Sequence, residues 1–510
     1  MILDINSFYD GYFVKAFLGS GKAGDSYLVQ RDTKEYVLKI MHHRPFINGH
    51  IFTIDDEIHA YHLLTKLNVK IPRLFAYHRA KKYLIKEYIQ GDSIAKFISN
   101  HYIPLSQYYL IYYYFKFIES KGYTIDYFPT NFIMSNNQIF YVDYEINPYD
   151  KTWSFDEWGI YYWFNQLGFK HYFTHNNSMA FLNQEDGSSK PIKVGFEKQI
   201  QEFITLVKSL DISYIMNLLR FDHYQTELYS IKHGMAALSY RIKNHTRDYF
   251  IKLYPMNYLL SDIYSEIRGN EKNTRFSPQI IYTDLSLKHL KYYLLVFQYI
   301  DGQIMMDSYE QAVGTYQSSL VQSFTQTLIE IHNKNERCLT YDFVNQEISK
   351  IKEKVQNSFI DLEQVINYLD THKKRLTQVK CCTLHGDYHP WNMIKYKDKF
   401  FVIDWKSKVG DYRFDVYWTY SLLKRSGYKE FADAFLSSYA NIKPEVLDDQ
   451  AFFLVLSATS WLLSIISSTS KSDANSKRIK SMVNQYYQDI SKILSDYKFK
   501  EEQYGAFSVL

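Results

Sequence analysis

The stretch of this chain that decides its fold is HGDYHPWN at residues 385–392. It contains Asp387 and, five residues later, Asn392; a further twelve residues lead to Asp404, the last residue of the run VID. Phosphoryl transfer needs a carboxylate beside the acceptor hydroxyl, and an amide and a second carboxylate that hold Mg²⁺. The stretch therefore predicts Asp387 as a catalytic residue, with Asn392 and Asp404 as metal ligands.

The same spacing occurs a second time, nearer the start of the chain. Asp126 is followed by Asn131 and then by Asp143, with steps of five and twelve residues as before. Each set also lies downstream of a segment that can bind a nucleotide. Two such sets predict an α+β chain with two tandem kinase-like domains, each with a small β-rich nucleotide lobe and a helical lobe. We place these domains at residues 1–215 and 216–510.

The first domain begins with a glycine-rich turn, GSGKAG, whose GxGxxG pattern places glycines at Gly19, Gly21 and Gly24. Dinucleotide-binding folds share this pattern, but in them a helix follows the glycines. Here the strand-like run SYLVQ follows, and a polar turn leads to a second strand-like run, YVLKI, which contains Lys39. The order favours a hairpin over the phosphates of ATP, with Lys39 bound to them and Glu57 on the next helix as its ion-pair partner.

The second domain has a comparable but sparser nucleotide segment. A strand–loop–strand run offers one glycine, Gly234, and the next strand-like run, DYFIKLY, offers Lys252. The helix after it offers Glu266 as the partner of Lys252, with Asp262 as the alternative. The apolar run LLVFQYIDG is typical of the strand and hinge that meet an adenine edge. These residues predict a second ATP site.

The second catalytic loop closely resembles that of the aminoglycoside phosphotransferase and choline kinase superfamily. The resemblance rests on LHGDYHPWNMI at residues 384–394, VIDW at residues 402–405 and GDYRFDV at residues 410–416. It implies a two-lobed kinase fold with an enlarged helical lobe, the use of ATP and Mg²⁺, and phosphoryl transfer to a hydroxyl of an aminoglycoside, choline or a similar small molecule. We expect Asp415 to brace the loop rather than to touch the substrate.

The first domain resembles the minimal bacterial protein-kinase-like domains, but it departs from their pattern at two positions. Thr124 stands where the catalytic loop usually has a histidine, and the metal segment reads Asp143-Tyr144-Glu145, a version similar to that of choline kinases. This domain is therefore expected to be an active kinase or a nucleotide-binding pseudokinase. It is also the part of the chain where we expect any protein partner to bind.

Three functions stay open at this point. The first is a Mg-ATP-dependent phosphotransferase acting on a small hydroxylated molecule, with the chemistry in the second domain. The second is a protein serine/threonine kinase, or a tandem kinase and pseudokinase signalling protein. The third is a non-catalytic scaffold with two degenerate nucleotide sites. The intact set of Asp387, Asn392, Asp404 and Lys252 argues against the third function. The long helical lobe expected after residue 300 favours the first, because compact pockets suit small acceptors.

The bulk composition excludes several other classes of protein. Hydrophobic residues make up 46% of the chain, enough for large buried cores. The formal net charge of +4 over 510 residues is too small to indicate nucleic-acid binding. The N-terminus has no secretory pattern, the most apolar stretch, residues 451–466, is too short to span a membrane, and the three cysteines form no disulfide framework. We therefore expect a cytoplasmic protein without a membrane partner.

Overall fold

The computed structural model describes most of the chain, namely residues 3–42, 53–100, 103, 105–135, 138–186, 188–208, 211–222, 226–231, 237–356, 362–468, 481, 483–488, 490–491 and 493–495. These residues form a mixture of helices and strands with curled β-sheet lobes, as the sequence predicts. None of the described helices is both long and apolar enough to cross a membrane.

By packing, the chain forms two compact units. The first comprises Met1–Tyr258 and Tyr282–Val296, and the second comprises Leu259–Ile281 and Phe297–Leu510. This division follows the contacts between residues, whereas the predicted domains follow the sequence motifs. The domain boundary between residues 215 and 216 therefore stays a prediction.

The first unit begins with an antiparallel sheet of six strands, β1 (Phe8–Tyr9), β2 (Tyr12–Ser20), β3 (Gly24–Arg31), β4 (Lys34–Met41), β5 (Leu74–His78) and β6 (Tyr83–Glu87). Their order is β1-β2-β3-β4-β6-β5. The hairpin expected after the glycine-rich turn is the β3–β4 pair, in which Ser26 lies opposite Lys39. Helix α1 (Ile54–Lys66) follows β4, and Thr53 caps its N-terminus by accepting a hydrogen bond from the N–H of Asp56.

The middle of the first unit is helical and aromatic. Its helices are α2 (Ile94–Asn100), α3 (Leu105–Ser120), α4 (Ile160–Phe164), α5 (Gln166–Thr174), α6 (Glu197–Lys208) and α7 (Ile212–Leu218). Short strands lie between them, namely β7 (Asp92–Ser93), β8 (Tyr123–Ile125), β9 (Phe132–Ser135), β10 (Gln138–Tyr141) and β11 (Ile146–Pro148). The pairs β9–β10 and β8–β11 are antiparallel, and they frame the loop that carries Asp126.

A second sheet begins after residue 226 and has five strands, β12 (Glu227–Ser230), β13 (Leu238–Lys243), β14 (Asp248–Pro255), β15 (Ile280–Asp284) and β16 (Tyr292–Gln298). Their order, β12-β13-β14-β16-β15, repeats the order of β2 to β6 in the first sheet. Tyr109 and Leu110 of α3 are buried in the same hydrophobic cluster as Leu228, Tyr240 and Leu294 of this sheet. Burying one such side chain contributes roughly 1.5–3 kcal/mol, so the helices before residue 215 and the sheet after it are held together by a common core.

The second unit is mainly helical. It contains α8 (Leu260–Lys272), β17 (Gln303–Ile304), α9 (Met305–Gln311), α10 (Gly314–His332), β18 (Asn335–Leu339), α11 (Thr340–Gln356), α12 (Glu363–His372), β19 (Lys380–Leu384), β20 (Met393–Tyr396), β21 (Lys399–Val402), β22 (Lys408–Gly410), α13 (Tyr412–Arg425), α14 (Lys429–Ala440) and α15 (Gln450–Ser468). Helix α15 contains the apolar stretch noted in the sequence, and its Phe453, Val455 and Leu456 are buried in the core of this unit.

Candidate active site

The second catalytic loop lies between strand β19 and the β20–β21 hairpin. Its residues Pro390–Asn392 form one turn of 3₁₀ helix. The Asn392 side chain donates through Nδ2 to the carbonyl oxygen of Asp387 at 3.1 Å, and the N–H of Ile403 donates to the carbonyl oxygen of Asn392 at 3.0 Å. These bonds join the loop to the segment that ends in Asp404. Asp404 adopts a φ of 60°, a left-handed conformation that is uncommon outside glycine and is found at functional sites.

Asp415 braces this loop from α13. Its carboxylate accepts the backbone N–H of His385 at 2.6 Å and that of Gly386 at 3.0 Å. The buried His332 donates to the same carboxylate at 3.3 Å and accepts from the Tyr439 hydroxyl at 2.8 Å. Burial acts to raise the pKa of Asp415, but the hydrogen bond from His332 and the bond to His385 hold it below its usual value. Asp415 therefore stays ionised and contacts the loop backbone.

His385 is a structural member of the loop. Burial lowers its pKa to about 4, so the ring is neutral near pH 7. Its Nε2–H donates to the carbonyl oxygen of Ile403 at 3.1 Å, and its Nδ1 accepts the backbone N–H of Asp387 at 3.1 Å. One tautomer satisfies both bonds, and it fixes the backbone of Asp387.

The Asp387 carboxylate has a donor on each oxygen. Lys406 Nζ lies 2.6 Å from Oδ2, and the indole N–H of Trp418 donates to Oδ1 at 3.1 Å. His389 Nε2 lies 3.6 Å from Oδ1. Burial acts to raise the pKa of Asp387, but Lys406 and His389 lower it further than burial raises it. The carboxylate is therefore ionised at neutral pH and can accept a hydrogen bond from a hydroxyl.

The structure describes two of the three nucleotide-binding residues predicted for the second domain. Lys252 is buried on β14 in the first unit, and Glu266 is buried on α8 in the second. Asp262, the alternative partner of Lys252, is exposed on α8, so burial favours Glu266. Gly234 lies outside the described residues.

The first catalytic loop repeats the backbone pattern of the second. Pro129–Asn131 form a 3₁₀ turn, and Asn131 Nδ2 lies 3.5 Å from the carbonyl oxygen of Asp126. The N–H of Val142 donates to the carbonyl oxygen of Asn131 at 2.9 Å. The structure thus brings Asp126, Asn131 and the segment ending in Asp143 together in the order that the sequence predicts.

Lys39 lies at the centre of the first site. Its Nζ is 2.5 Å from Glu57 Oε1 and 3.2 Å from Asp143 Oδ1. Burial acts to lower the pKa of Lys39, but Asp143 and Glu57 raise it well above its usual range. The ammonium is therefore charged, and Glu57 of α1 holds it beside the segment that ends in Asp143.

The glycine-rich turn lies close to the first loop. Gly19 has a φ of 152°, the N–H of Gly21 donates to the carbonyl oxygen of Gly24 at 2.9 Å, and a Cβ at Gly24 would overlap the carbonyl oxygen of Ile40.

Between the glycines, Lys22 Nζ lies 3.3 Å from Asp126 Oδ2 and 3.4 Å from Glu145 Oε2. The structure thus adds Lys22 and Glu145 to the residues around Asp126.

A further lysine, Lys86 on β6, is buried behind this site. Its Nζ donates to the carbonyl oxygen of Val142 at 3.0 Å and lies 4.3 Å from the centre of the Tyr144 ring. Burial and the neighbouring charge of Lys39 lower the pKa of Lys86 to about 8. The sequence pattern shows this residue only as one polar position in an apolar strand, and it gives no sign of the contact with Val142.

We expect Lys86→Met to remove a pH dependence of stability. Between pH 8 and 10.5 the unfolded chain still binds the proton that folded Lys86 has lost, so the free energy of unfolding of the wild type rises with pH in this window. From pH 7.5 to 9.5 the rise is about 2 kcal/mol, because the slope approaches about 1.36 kcal/mol per pH unit between the two pKa values. Denaturant unfolding at pH 7.5 and 9.5 measures it, with exposed Lys66→Met as the control. Equal slopes for wild type and Lys86→Met would contradict the prediction.

Comparison with known proteins agrees with the motifs of the second loop. Residues 228–449 match the family model described as the phosphotransferase enzyme family. The C-terminal region matches that family, as its sequence predicts. The match supports a kinase-type phosphotransferase, and it includes Asp387, Asn392, Asp404 and Asp415. No curated protein matches the chain.

Solved structures similar to this chain include three phosphotransferases. A thermostable mutant of aminoglycoside phosphotransferase APH(4)-Ia, in a ternary complex with ADP and hygromycin B, is 10% identical, with 55% of this chain and 97% of that chain covered and a TM-score of 0.43. Choline kinase from Cryptosporidium parvum Iowa II is 12% identical, with coverages of 56% and 97% and a TM-score of 0.40. Aminoglycoside-3'-phosphotransferase of type VIII is 16% identical, with coverages of 49% and 98% and a TM-score of 0.38.

Proposed function

We propose that the C-terminal region transfers the γ-phosphoryl group of Mg-ATP to a hydroxyl of a small molecule. The observation that carries this proposal is the ionised Asp387, held on a loop that Asp415 braces, within the region that matches the phosphotransferase family. In the transfer, a bond forms between the acceptor oxygen and the γ-phosphorus, and the bond from that phosphorus to ADP breaks. The hydroxyl proton passes to the Asp387 carboxylate and then to solvent.

The donor atoms of this loop fit Mg²⁺. Asn392 uses its amide nitrogen on the carbonyl oxygen of Asp387, which leaves its amide oxygen available as a ligand, and Asp404 would add a carboxylate. Mg²⁺ prefers oxygen ligands and takes the remainder from phosphates and water. Among the described residues no group of three or more His, Cys, Asp or Glu side chains is arranged to hold a metal. When bound, Mg²⁺ would neutralise charge on the phosphates, for which the sequence predicts Lys252 as a ligand.

The acceptor is proposed only as a class. Two of the tryptophans near the loop are buried: Trp405 packs where a Cβ at Gly269 of α8 would overlap it, and Trp418 donates to Asp387. Neither is therefore available for an aromatic cage around a quaternary amine. Aminoglycosides, choline and similar hydroxylated molecules remain the candidate acceptors, and a fold alone does not choose among them.

The residues before 215 support a second proposal, a kinase-like nucleotide-binding module in tandem with the first. The support is the repeated geometry: in both parts an edge strand, β7 or β17, pairs with the hairpin after the catalytic loop. A glycine comes just before each edge strand, Gly91 before β7 and Gly302 before β17. A Cβ at either glycine would overlap the backbone of the hairpin. The pair of Lys39 with Glu57 adds a charged phosphate ligand. The alternative function, a protein kinase or a tandem kinase and pseudokinase signalling protein, rests on this module and on a protein partner that binds it.

Phosphoryl transfer from ATP to a panel of acceptors tests both proposals. The panel contains aminoglycosides, macrolides, choline, ethanolamine, sugars and homoserine, each measured with and without Mg²⁺. We expect Mg²⁺-dependent transfer to at least one acceptor by the wild type and an equal rate in Asp126→Asn. Loss of transfer in Asp126→Asn would instead indicate that the first loop carries out the reaction. Absence of transfer to every acceptor, with phosphorylation of a protein instead, would favour the alternative function.

A further inference from the structure

The contact between Lys406 and Asp387 is a feature that the proposed function does not use. Lys406 follows Asp404 by two residues, and its ammonium is 2.6 Å from the oxygen of the carboxylate that would receive the acceptor hydroxyl. With the Trp418 indole on the other oxygen, both oxygens of Asp387 carry a donor. Each oxygen of an ionised carboxylate has a second lone pair, so an acceptor hydroxyl can join Asp387, where it competes with these donors for the negative charge.

The two donors differ in their freedom to move. Trp418 is 6% exposed and is held within α13, whereas the side chain of Lys406 is 56% exposed. A lysine ammonium on a four-carbon stem moves at little cost, while a buried indole is fixed by its packing. Of the two donors, Lys406 is therefore the one that an incoming hydroxyl can displace.

The backbone of Lys406, by contrast, is fixed against the loop. Its N–H donates to the carbonyl oxygen of His385 at 2.9 Å. Gly386 has a φ of 83°, and a Cβ there would overlap the carbonyl oxygen of Lys406. The Cα of Lys406 is thus tied to the loop that carries Asp387, which keeps the side chain close to that residue.

We propose that Lys406 is a further catalytic residue, which pairs with Asp387 in the absence of substrate and binds the transferred phosphoryl group once the acceptor hydroxyl takes its place. The inference rests on the proposed function. Once displaced, Lys406 places a positive charge beside the phosphoryl oxygens, where charge is spread in the transition state. Trp418 stays on Oδ1 and acts as a positioning residue.

The first test is steady-state transfer to whichever acceptor the panel identifies, compared between Lys406→Met, Lys406→Arg and Lys399→Met, an exposed lysine of the adjacent β21 strand. We expect Lys406→Met to lower kcat about 10²–10³-fold with a nearly unchanged KM for the acceptor. Lys406→Arg should recover part of the loss, and Lys399→Met should behave as wild type. An unchanged kcat in Lys406→Met would overturn the proposal.

The second test needs no acceptor and so separates this inference from the proposed function. The affinities for AMP-PNP and ADP are measured with Mg²⁺ in the full chain carrying Asp143→Asn, which removes a metal-ligand candidate of the first loop. If Lys406 binds the γ-phosphoryl group, Lys406→Met should reduce the preference for AMP-PNP over ADP about tenfold, the effect of one charge-assisted hydrogen bond. Lys399→Met should leave the preference unchanged. An unchanged preference in Lys406→Met would refute the role of Lys406, even if transfer to an acceptor is found.

Discussion

Replacing Asp387 by asparagine is expected to lower kcat for acceptor-dependent phosphoryl transfer by about 10²–10⁴-fold, the usual contribution of a positioned general base. Asparagine keeps the shape of the side chain and can still accept from Trp418, so the loop should stay folded. What it loses is the negative charge that receives the hydroxyl proton. Steady-state kinetics on the identified acceptor, with Mg-ATP affinity measured alongside, is the measurement.

A matched control for this variant is Asp398→Asn. Asp398 is an exposed aspartate in the turn between β20 and β21, on the hairpin that follows the same loop. Its replacement should leave kcat within about twofold, as is usual for surface changes remote from the chemistry. A loss of transfer in Asp398→Asn equal to that in Asp387→Asn would mean that the assay reports damage to the hairpin. Full activity of Asp387→Asn would remove this residue from the mechanism.

Replacing Arg413 by alanine is expected to lower the free energy of unfolding of the second unit by about 3–5 kcal/mol, the usual cost of breaking a buried ion pair. The guanidinium is fully buried, lies 2.6 Å from Asp411 Oδ2, and donates to the carbonyl oxygen of Thr377 at 2.6 Å. It also lies 3.1 Å from Asp449. Its removal leaves the buried Asp411 carboxylate without its cation, at the N-terminus of the helix that carries Asp415.

Urea unfolding followed by tryptophan fluorescence measures this loss. The control is Lys424→Ala, which removes a surface ion pair to Asp433 from the same helix. Exposed pairs of this kind contribute about 0–1 kcal/mol, so the control should change stability little. A loss below about 1 kcal/mol for Arg413→Ala would show that water or another cation replaces the guanidinium. It would contradict the role of Arg413 as the cation of a buried ion pair.

Much of the two catalytic loops could be predicted from the sequence, because their function depends on short, fixed spacings. Five residues from aspartate to asparagine bring the asparagine amide onto the aspartate carbonyl, and twelve more form the hairpin that returns the second aspartate. The pair of Lys39 with Glu57 was predictable for a similar reason, since a strand followed by a helix leaves few partners for a buried lysine. These contacts are set by the geometry of short stretches of chain, which the residue spacing in the sequence indicates.

Other contacts were not predictable, because they depend on how distant elements pack. Lys406 and Trp418 reach Asp387 from two different segments, and neither belongs to a motif with a known spacing. Lys86 is one polar residue in an apolar strand, and only the placement of Val142 gives its ammonium a partner. The aromatic face of α3 indicates that the helix is buried, but it does not indicate that the sheet of β12 to β16 covers it.

That shared core has a consequence for how the chain is made. During synthesis, α3 leaves the ribosome long before Leu294 and the last strands of the second sheet exist. Until they emerge, the part of α3 that packs on this sheet has no native cover, and the nascent chain exposes apolar surface of the kind that chaperones bind and that aggregates. A ribosome stalled between residues 215 and 290 should therefore carry a protease-sensitive chain, and a gene split at that point should yield two fragments that become soluble only when produced together.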